Sequence, residues 1–395
     1  MIVLGEHFGY ERSNNRYHLN DDNLELCLKN NLSHPIQKSF LKNKDSLCFS
    51  FQKSEENEFQ FETSFFIGVD WIIKDKLPIY VRPKLNIQDK EIDYLKILFE
   101  ALEEPENLNH LDDLFSIDTI SPLISITQKE DLLTPLIIVE FVRLLQHIVR
   151  KGLKKSYYKV TDNLSTKVKG KILIGQTIKQ NHFKHKFTQN VCSYEEFGYN
   201  SIENRILKKA LYFIKPLILK EGRNNVFASL RPLLNYLDPA FSQVSMAVDS
   251  KELRTPKSNP FYKEYAQGIE LAIQILKKYG NNITNTESEI VKTPPFWIDM
   301  TKLFELYVFK KLREVFPRKN EVKYHFKTNY QELDYVLNSK DRNIKMVIDA
   351  KYKNKYFEGG IGKDDARQIS GYARLKTVYE ELSIENTKEL IDYLS

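Results

Sequence analysis

The sequence predicts an α+β protein of several domains. A β-rich N-terminal region covers 1–90, a mainly helical middle region covers 91–292, and a C-terminal α/β unit with a mixed sheet covers 293–395. Three observations predict this. The chain has 395 residues, more than one core requires at roughly 100–200 residues per domain. Strand-like patterning fills the first part and helical spacing the middle. The consecutive prolines of Thr293-Pro294-Pro295 then punctuate the chain before a helix, three strands and a second helix. Hydrophobic residues at 42% and charged residues at 28% place the whole among ordinary globular chains and exclude wholesale disorder.

In the N-terminal region, Leu47-Cys48-Phe49-Ser50-Phe51, Phe59-Gln60-Phe61 and Phe65-Phe66-Ile67-Gly68-Val69 concentrate aromatic and β-branched side chains. The polar run Lys53-Ser54-Glu55-Glu56-Asn57 separates two of them as a turn. Ile79-Tyr80-Val81-Arg82-Pro83-Lys84-Leu85 reads as a strand ended by Pro83, which has no N–H to donate to a ladder. Helices are predicted over 91–103 and 132–151; in the second, Leu136, Val139, Phe141, Val142, Leu145 and Val149 recur at helical spacing and Gly152 stands as the C-terminal cap. Helices over 204–219 and 262–279 follow, with Gly280 as a stop. No repeat of fixed period occurs.

In the C-terminal unit, Asp299 or Thr301 can cap a helix running to Val315. Strands are expected over 322–326, 332–337 and 346–351, with a polar turn at Asn338-Ser339-Lys340-Asp341. A glycine-rich loop (Gly359, Gly360, Gly362) leads to Asp364 and Asp365, which open a helix over 366–382.

Composition narrows the function. The formal net charge is +6, but its distribution says more: eleven Lys and Arg lie between Arg150 and Lys186 against one acid, Asp162. Such a stripe, with Lys169 and Lys171 in it, can neutralise phosphates and release counterions. It can equally be a solvated face or a dock for an acidic protein. Three cysteines with no CxxC pair argue against structural zinc and suit a reducing cytoplasm. The most apolar stretch, 132–149, is broken by Glu140, Arg143, Gln146 and His147, so no membrane span is expected. No GxxxxGK[ST] or GxSxG motif occurs, which excludes nucleotide hydrolysis by a P-loop and esterase-type acyl transfer.

One constellation carries chemistry. Asp349 and Lys351 are two residues apart on a predicted strand and so face one side. A hairpin partner can bring Asp334 alongside. Paired carboxylates repel unless a cation lies between them, and oxygen ligands with open positions suit Mg²⁺, with Mn²⁺ as a substitute. Asp334, Asp349 and the Ala350 carbonyl are the candidate metal ligands, and Lys351 the group that orients water or steadies phosphoryl charge. The plainer alternative is an ion pair at a strand end. Gln368 and Tyr372, four residues apart on one helical face, can reach a phosphate and line a DNA groove; alternatively Tyr372 is core and Gln368 is solvated. Glu305 either points at the metal site or pairs with Lys302 or Lys310. Lys353 follows the motif as a further candidate for DNA contact.

The C-terminal third resembles the PD-(D/E)xK nuclease superfamily, through Glu332-Leu333-Asp334-Tyr335-Val336-Leu337, Val347-Ile348-Asp349-Ala350-Lys351-Tyr352-Lys353 and the segment with Gln368 and Tyr372. More of the chain resembles the McrC family, the nuclease subunits of McrBC-type restriction systems that act on modified cytosine. Leu77-Pro78-Ile79-Tyr80-Val81-Arg82-Pro83-Lys84-Leu85, Val168-Lys169-Gly170-Lys171-Ile172, Glu203-Asn204-Arg205 and 300–308 stand in the family's order. The resemblance implies Mg²⁺-dependent cleavage of double-stranded DNA, with Asp334, Asp349, Lys351, Gln368 and Glu305 as catalytic residues. It also implies an AAA+ GTPase partner of McrB type, docked through the N-terminal domain. Leu333 stands where the superfamily often has proline. The sequence stops at Ser395, soon after a segment begins at Lys388, where the superfamily core usually adds a strand; the resemblance therefore implies a shortened nuclease unit. A regulatory adaptor with an inactive nuclease domain and a stand-alone repair-type nuclease are the rival expectations.

Overall fold

The computed structural model describes residues 1–9, 16–17, 19–30, 34–42, 46–53, 59–83, 93–111, 113–118, 121–127, 133–220, 227–248, 263–281, 290–328, 331–352 and 361–384. Two compact units emerge: Met1–Glu130 with Glu289–Ser395, and Asp131–Ser288. The expected boundaries at 90 and 293 do not coincide with them, because strands from both ends of the chain share one sheet.

The elements of the first unit before residue 131 are β1 (Ile2–Gly5), β2 (Arg16–Tyr17), α1 (Asp21–Lys29), β3 (Ile36–Ser39), β4 (Leu47–Lys53), β5 (Phe59–Thr63), β6 (Phe66–Ile73), β7 (Leu77–Arg82), α2 (Tyr94–Ala101), β8 (Phe115–Ile117) and β9 (Ile124–Thr127). The second unit holds α3 (Leu133–Lys151), β10 (Ser156–Ser165), β11 (Lys171–Ile172), α4 (Ile174–Gln180), β12 (Gln189–Gly198), α5 (Ile202–Leu219), α6 (Arg231–Ala240) and α7 (Lys263–Asn281). The first unit resumes with β13 (Ile290–Thr293), β14 (Phe296–Asp299), α8 (Met300–Val315), β15 (Val322–Lys327), β16 (Glu332–Ser339), β17 (Ile344–Ile348), α9 (Lys363–Ala373) and α10 (Lys376–Leu382).

In the first unit a five-stranded sheet runs β1-β7-β6-β14-β8. It is mixed: β1 is parallel to β7, with Ile2 opposite Ile79, and the other pairs are antiparallel. The mixed sheet expected at the C-terminus is thus found here, while β15-β16-β17 is antiparallel throughout. Phe49, Phe51, Phe61, Phe66, Ile79 and Trp297 fill one core between the five-stranded sheet and the four-stranded sheet β2-β5-β4-β3. Glycine is required at Gly68, because a Cβ there would meet the Phe296 carbonyl oxygen at 2.0 Å. That close approach lets β14, from beyond the prolines, pair with β6.

The second unit departs from its helical expectation. The basic segment folds largely as a three-stranded antiparallel sheet, β10-β12-β11, with Tyr157 opposite Phe197 and Thr161 opposite Ser193. Alternating half-buried and exposed residues along the first half of β10 are the period-two pattern that a helix reading passes over. Gly170, at φ +69, carries the turn into β11, where a Cβ would meet the Ser193 carbonyl oxygen at 2.4 Å. The helices are close to expectation, although α7 runs one residue past Gly280. Asn204 in α5 is fully buried and donates to the carbonyls of Lys154 and Tyr199, at 2.9 and 2.8 Å, while accepting from the Tyr265 hydroxyl. That explains the Glu203-Asn204-Arg205 motif as a structural tie.

Candidate active site

The scaffold of the site is α8 laid against β15-β16-β17. Asp299 caps α8, its carboxylate accepting from the Lys302 amide at 3.0 Å. Leu303, Leu306 and Phe309 bury one stripe of the helix. Acids at the end of α2 hold its other side: Lys310 meets Glu103 at 2.9 Å and Lys311 meets Glu100 at 3.2 Å, while Glu314, one turn on in α8, meets Lys310 at 2.6 Å. Buried Asn107 donates to the Leu306 carbonyl at 2.9 Å. The Tyr335 hydroxyl, from fully buried Tyr335 on β16, donates to the Glu305 carbonyl at 2.6 Å. Glu305 is therefore fixed at main-chain level by β16.

Asp334 lies on β16, the central strand. The ladder with β17 pairs Tyr335 with Ile348, and one further step would place Asp349 opposite Asp334. The strand stops there because the Ala350 amide donates to the Asp334 carboxylate at 2.7 Å instead of continuing the ladder. Asp349 and Lys351 consequently sit just past β17 rather than inside it. They share a side, as expected: the Lys351 ammonium lies 2.9 Å from Asp349 Oδ2.

Charge is crowded at this strand end. Burial first, then the carboxylates of Glu305 and Asp349, push the Asp334 carboxyl up to about 6, against the opposing pull of the Ala350 amide and Lys351. Burial would lower the Lys351 ammonium, but Asp349, Asp334 and Asp365 outweigh it and hold it above its ordinary value. Lys351 is thus charged at neutral pH and suited to donating, not to removing a proton.

Glu305 pairs with neither of its expected lysines. Lys302 lies 4.0 Å from Asp113, and Lys310 is taken by Glu103 and Glu314. Its Oε2 instead meets the Tyr324 hydroxyl at 3.1 Å and His325 Nε2 at 3.2 Å. Gln368 and Tyr372 do meet on one helical face, the amide donating to the hydroxyl at 2.7 Å. Gln368 is exposed and Tyr372 packs into the cluster of Leu333, Val336, Val378 and Leu382. No hydrogen bond or ion pair joins either to Asp334, Asp349 or Lys351 among the described residues. The predicted helix over 366–382 is broken at Arg374–Leu375 into α9 and α10. Lys353, Gly359, Gly360 and the segment from Lys388 lie outside the described residues.

Two side chains that sequence reading missed belong to this site: Tyr324 and His325. Neither has a motif. A third link comes from the N-terminus, where the buried Tyr352 hydroxyl donates to buried Glu6 at 3.2 Å. The residue following β1 thereby touches the residue after Lys351. In the basic sheet, Lys169 is engaged rather than open: its ammonium pairs with Glu196 at 2.8 Å and stands 4.0 Å over the Tyr194 ring. Lys171 is exposed on β11.

Among the described residues no three His, Cys, Asp or Glu side chains are gathered as a ready metal cage. A divalent ion here would find the two carboxylates of Asp334 and Asp349. Mg²⁺ accepts such a set because it keeps several waters, and the raised Asp334 carboxyl marks the unneutralised charge such an ion relieves. The residues fit the group.

The class defined by fold and site is an α+β protein of several sheets with an Asp–Asp–Lys centre at a strand end. The chain belongs to the family of McrBC 5-methylcytosine restriction system components, whose model matches residues 69–382. The resemblance read from the motifs thus stands. No curated protein matches. Two solved structures are similar. One is the refined half-complex from a tetradecameric assembly of Thermococcus gammatolerans McrB AAA+ hexamers with bound McrC, at 18% identity and TM-score 0.36 over 94% of this chain and 84% of that one. The other is the Thermococcus gammatolerans McrBC complex, at 16% and 0.28 over 81% and 89%. No helix among the described residues is long and apolar enough to cross a membrane.

Proposed function

We propose that this chain is the Mg²⁺-dependent DNA endonuclease subunit of an McrBC-like restriction system, acting in the cytoplasm with an AAA+ GTPase of McrB type. The observation that carries this is the β16–β17 ladder end, where Asp334 faces the step occupied by Asp349 and Lys351 pairs back onto Asp349.

Asp334, Asp349 and the Ala350 carbonyl would hold the ion. When bound, it would supply charge at the scissile phosphate and lower the pKa of a bound water. The Ala350 amide fixes the orientation of Asp334. Lys351, kept charged, donates to phosphoryl oxygens as negative charge grows there. Glu305 is a hydrogen-bond acceptor for water beside Asp334. In this reading the N-terminal strands form the docking element for the GTPase, which supplies the nucleotide site this sequence lacks.

The test is DNA cleavage with the GTPase, GTP and Mg²⁺. Asp349→Ala and Lys351→Ala should each abolish cutting yet leave the complex with the GTPase intact on a sizing column. Continued cutting by both variants sinks the site. A second reading, a regulatory adaptor with an inactive nuclease domain, draws on the lack of a three-ligand cage among the described residues. It requires stimulated GTP hydrolysis with no cutting under any divalent ion.

A further inference from the structure

His325 stands out in β15. It has φ +52, a left-handed conformation that non-glycine side chains rarely adopt, in mid-strand. The ladder pairs Tyr324 with Tyr335 and Phe326 with Leu333, so His325 lies level with Asp334. Successive side chains of a regular strand face opposite sides. Here Tyr324 and His325, adjacent in sequence, both reach the same atom, Glu305 Oε2, at 3.1 and 3.2 Å. Only the irregular backbone at His325 permits that convergence. The other ring nitrogen, Nδ1, lies 2.9 Å from Glu332 Oε1, so the imidazole is pinned at both ends. Both contacts fall on Oε2, and Oε1 of Glu305 carries no hydrogen bond among the described residues.

Backbone strain of this kind persists where the surroundings over-determine it, and it gathers at functional sites. We propose that His325 is a positioning residue. Its strained backbone and doubly held ring fix the Glu305 carboxylate beside Asp334, with Oε1 left to order water at the cleavage centre. This rests on the nuclease reading above. A group that orients water around a metal site typically costs about 10-fold to 100-fold in metal affinity or activity when lost.

Glycine and asparagine both accept a left-handed backbone, so His325→Gly and His325→Asn remove the ring without imposing new strain. Mn²⁺ binding to the full-length protein, followed by electron paramagnetic resonance, should weaken about 10-fold in His325→Gly and less in His325→Asn. The melting temperature of both should equal or exceed that of the wild type. With the GTPase, GTP and Mg²⁺, kcat for cleavage should fall with DNA affinity unchanged. Glu305→Gln combined with His325→Gly should be no worse than Glu305→Gln alone, because the histidine acts through the glutamate. Unchanged Mn²⁺ affinity in His325→Gly, or additive losses in the double variant, would overturn the proposal. A wild-type protein that binds Mn²⁺ but never cuts DNA overturns the nuclease reading alone, since the Mn²⁺ comparison still judges His325. A wild type that binds no Mn²⁺ overturns both.

Discussion

Two antiparallel three-stranded sheets, β10-β12-β11 and β15-β16-β17, carry charge in opposite ways. In the first, lysines stand at the surface: the side chains of the Lys169–Glu196 pair are 52% and 39% exposed. Such pairs contribute about 0–1 kcal/mol and are easily rearranged. At the end of the second, the Asp349 side chain is only 6% exposed, and Asp334 is raised by burial and by its acidic neighbours. Carboxylates crowded out of water are costly. The lesson is that cost, not charge count, marks a site. Eleven basic residues are spread over helices, strands and loops, whereas two crowded carboxylates define a place.

Removing that cost should have the largest effect. Asp334→Asn should reduce cleavage by roughly 10²–10³-fold while leaving the protein folded, because the amide oxygen can still accept from Ala350. The check is cleavage and circular dichroism on one preparation. An active Asp334→Asn would erase the contrast between the sheets.

The scaffold comes next. Tyr335→Phe keeps the ring in its core but leaves the Glu305 carbonyl without its hydroxyl donor. That carbonyl keeps its helical bond from the Phe309 amide, so the loss is one added hydrogen bond, about 0.5–1.5 kcal/mol, to be read by urea unfolding. Activity should fall as well, since β16 would no longer fix Glu305. Loss of stability with full activity would separate scaffold from site.

Much of this was legible in the sequence, and what was not has physical reasons. Asp334, Asp349 and Lys351 were readable because period two puts residues i and i+2 together and a polar turn closes the hairpin. The Asp299 cap was readable from its place before an apolar helix. Tyr324 and His325 were not, because one anomalous φ brings neighbours to one side, and no spacing rule encodes that. Glu305 was open between partners, since its contacts depend on how α8 packs. The joining of β14 to β6 was hidden too: it rests on a contact between residues about 230 apart, which depends on Gly68 having no side chain. The basic sheet is hidden because helical periodicity on both sides of it outweighs the weaker alternation along β10.

A pH experiment sharpens the comparison further. Burial, with Glu305 as a lesser contributor, pushes the Asp299 carboxyl up to about 6 from 3.8. An acid raised in the folded state favours folding below its unfolded value and loses that contribution as pH rises through its folded one. Wild-type stability from this group should therefore decline between pH 3.8 and about 6 and stay flat above. Asparagine also caps helices, so Asp299→Asn keeps the hydrogen bond and drops the charge. It should melt a few degrees higher at pH 8 and match the wild type at pH 3.5. Equal melting at both values would show that Asp299 is solvated after all. Unlike Asp334, this carboxylate has a helix N-terminus to satisfy it, which is why a similar rise marks a cap in one place and a candidate ligand in the other.

The smallest effect belongs to the exposed sheet. Lys169→Ala removes an ammonium already shared between Glu196 and the Tyr194 ring, and Lys171→Ala removes an exposed one. If the face tracks a DNA backbone, Lys171→Ala should weaken double-stranded DNA binding by less than about 1 kcal/mol and lower the salt dependence by about one phosphate contact. Lys169→Ala should change it less, because its charge is already committed within the protein. A large loss from Lys169→Ala would mean that this pairing opens to meet a phosphate. The basic sheet would then also hold functional charge in committed pairs, and only burial would distinguish the two.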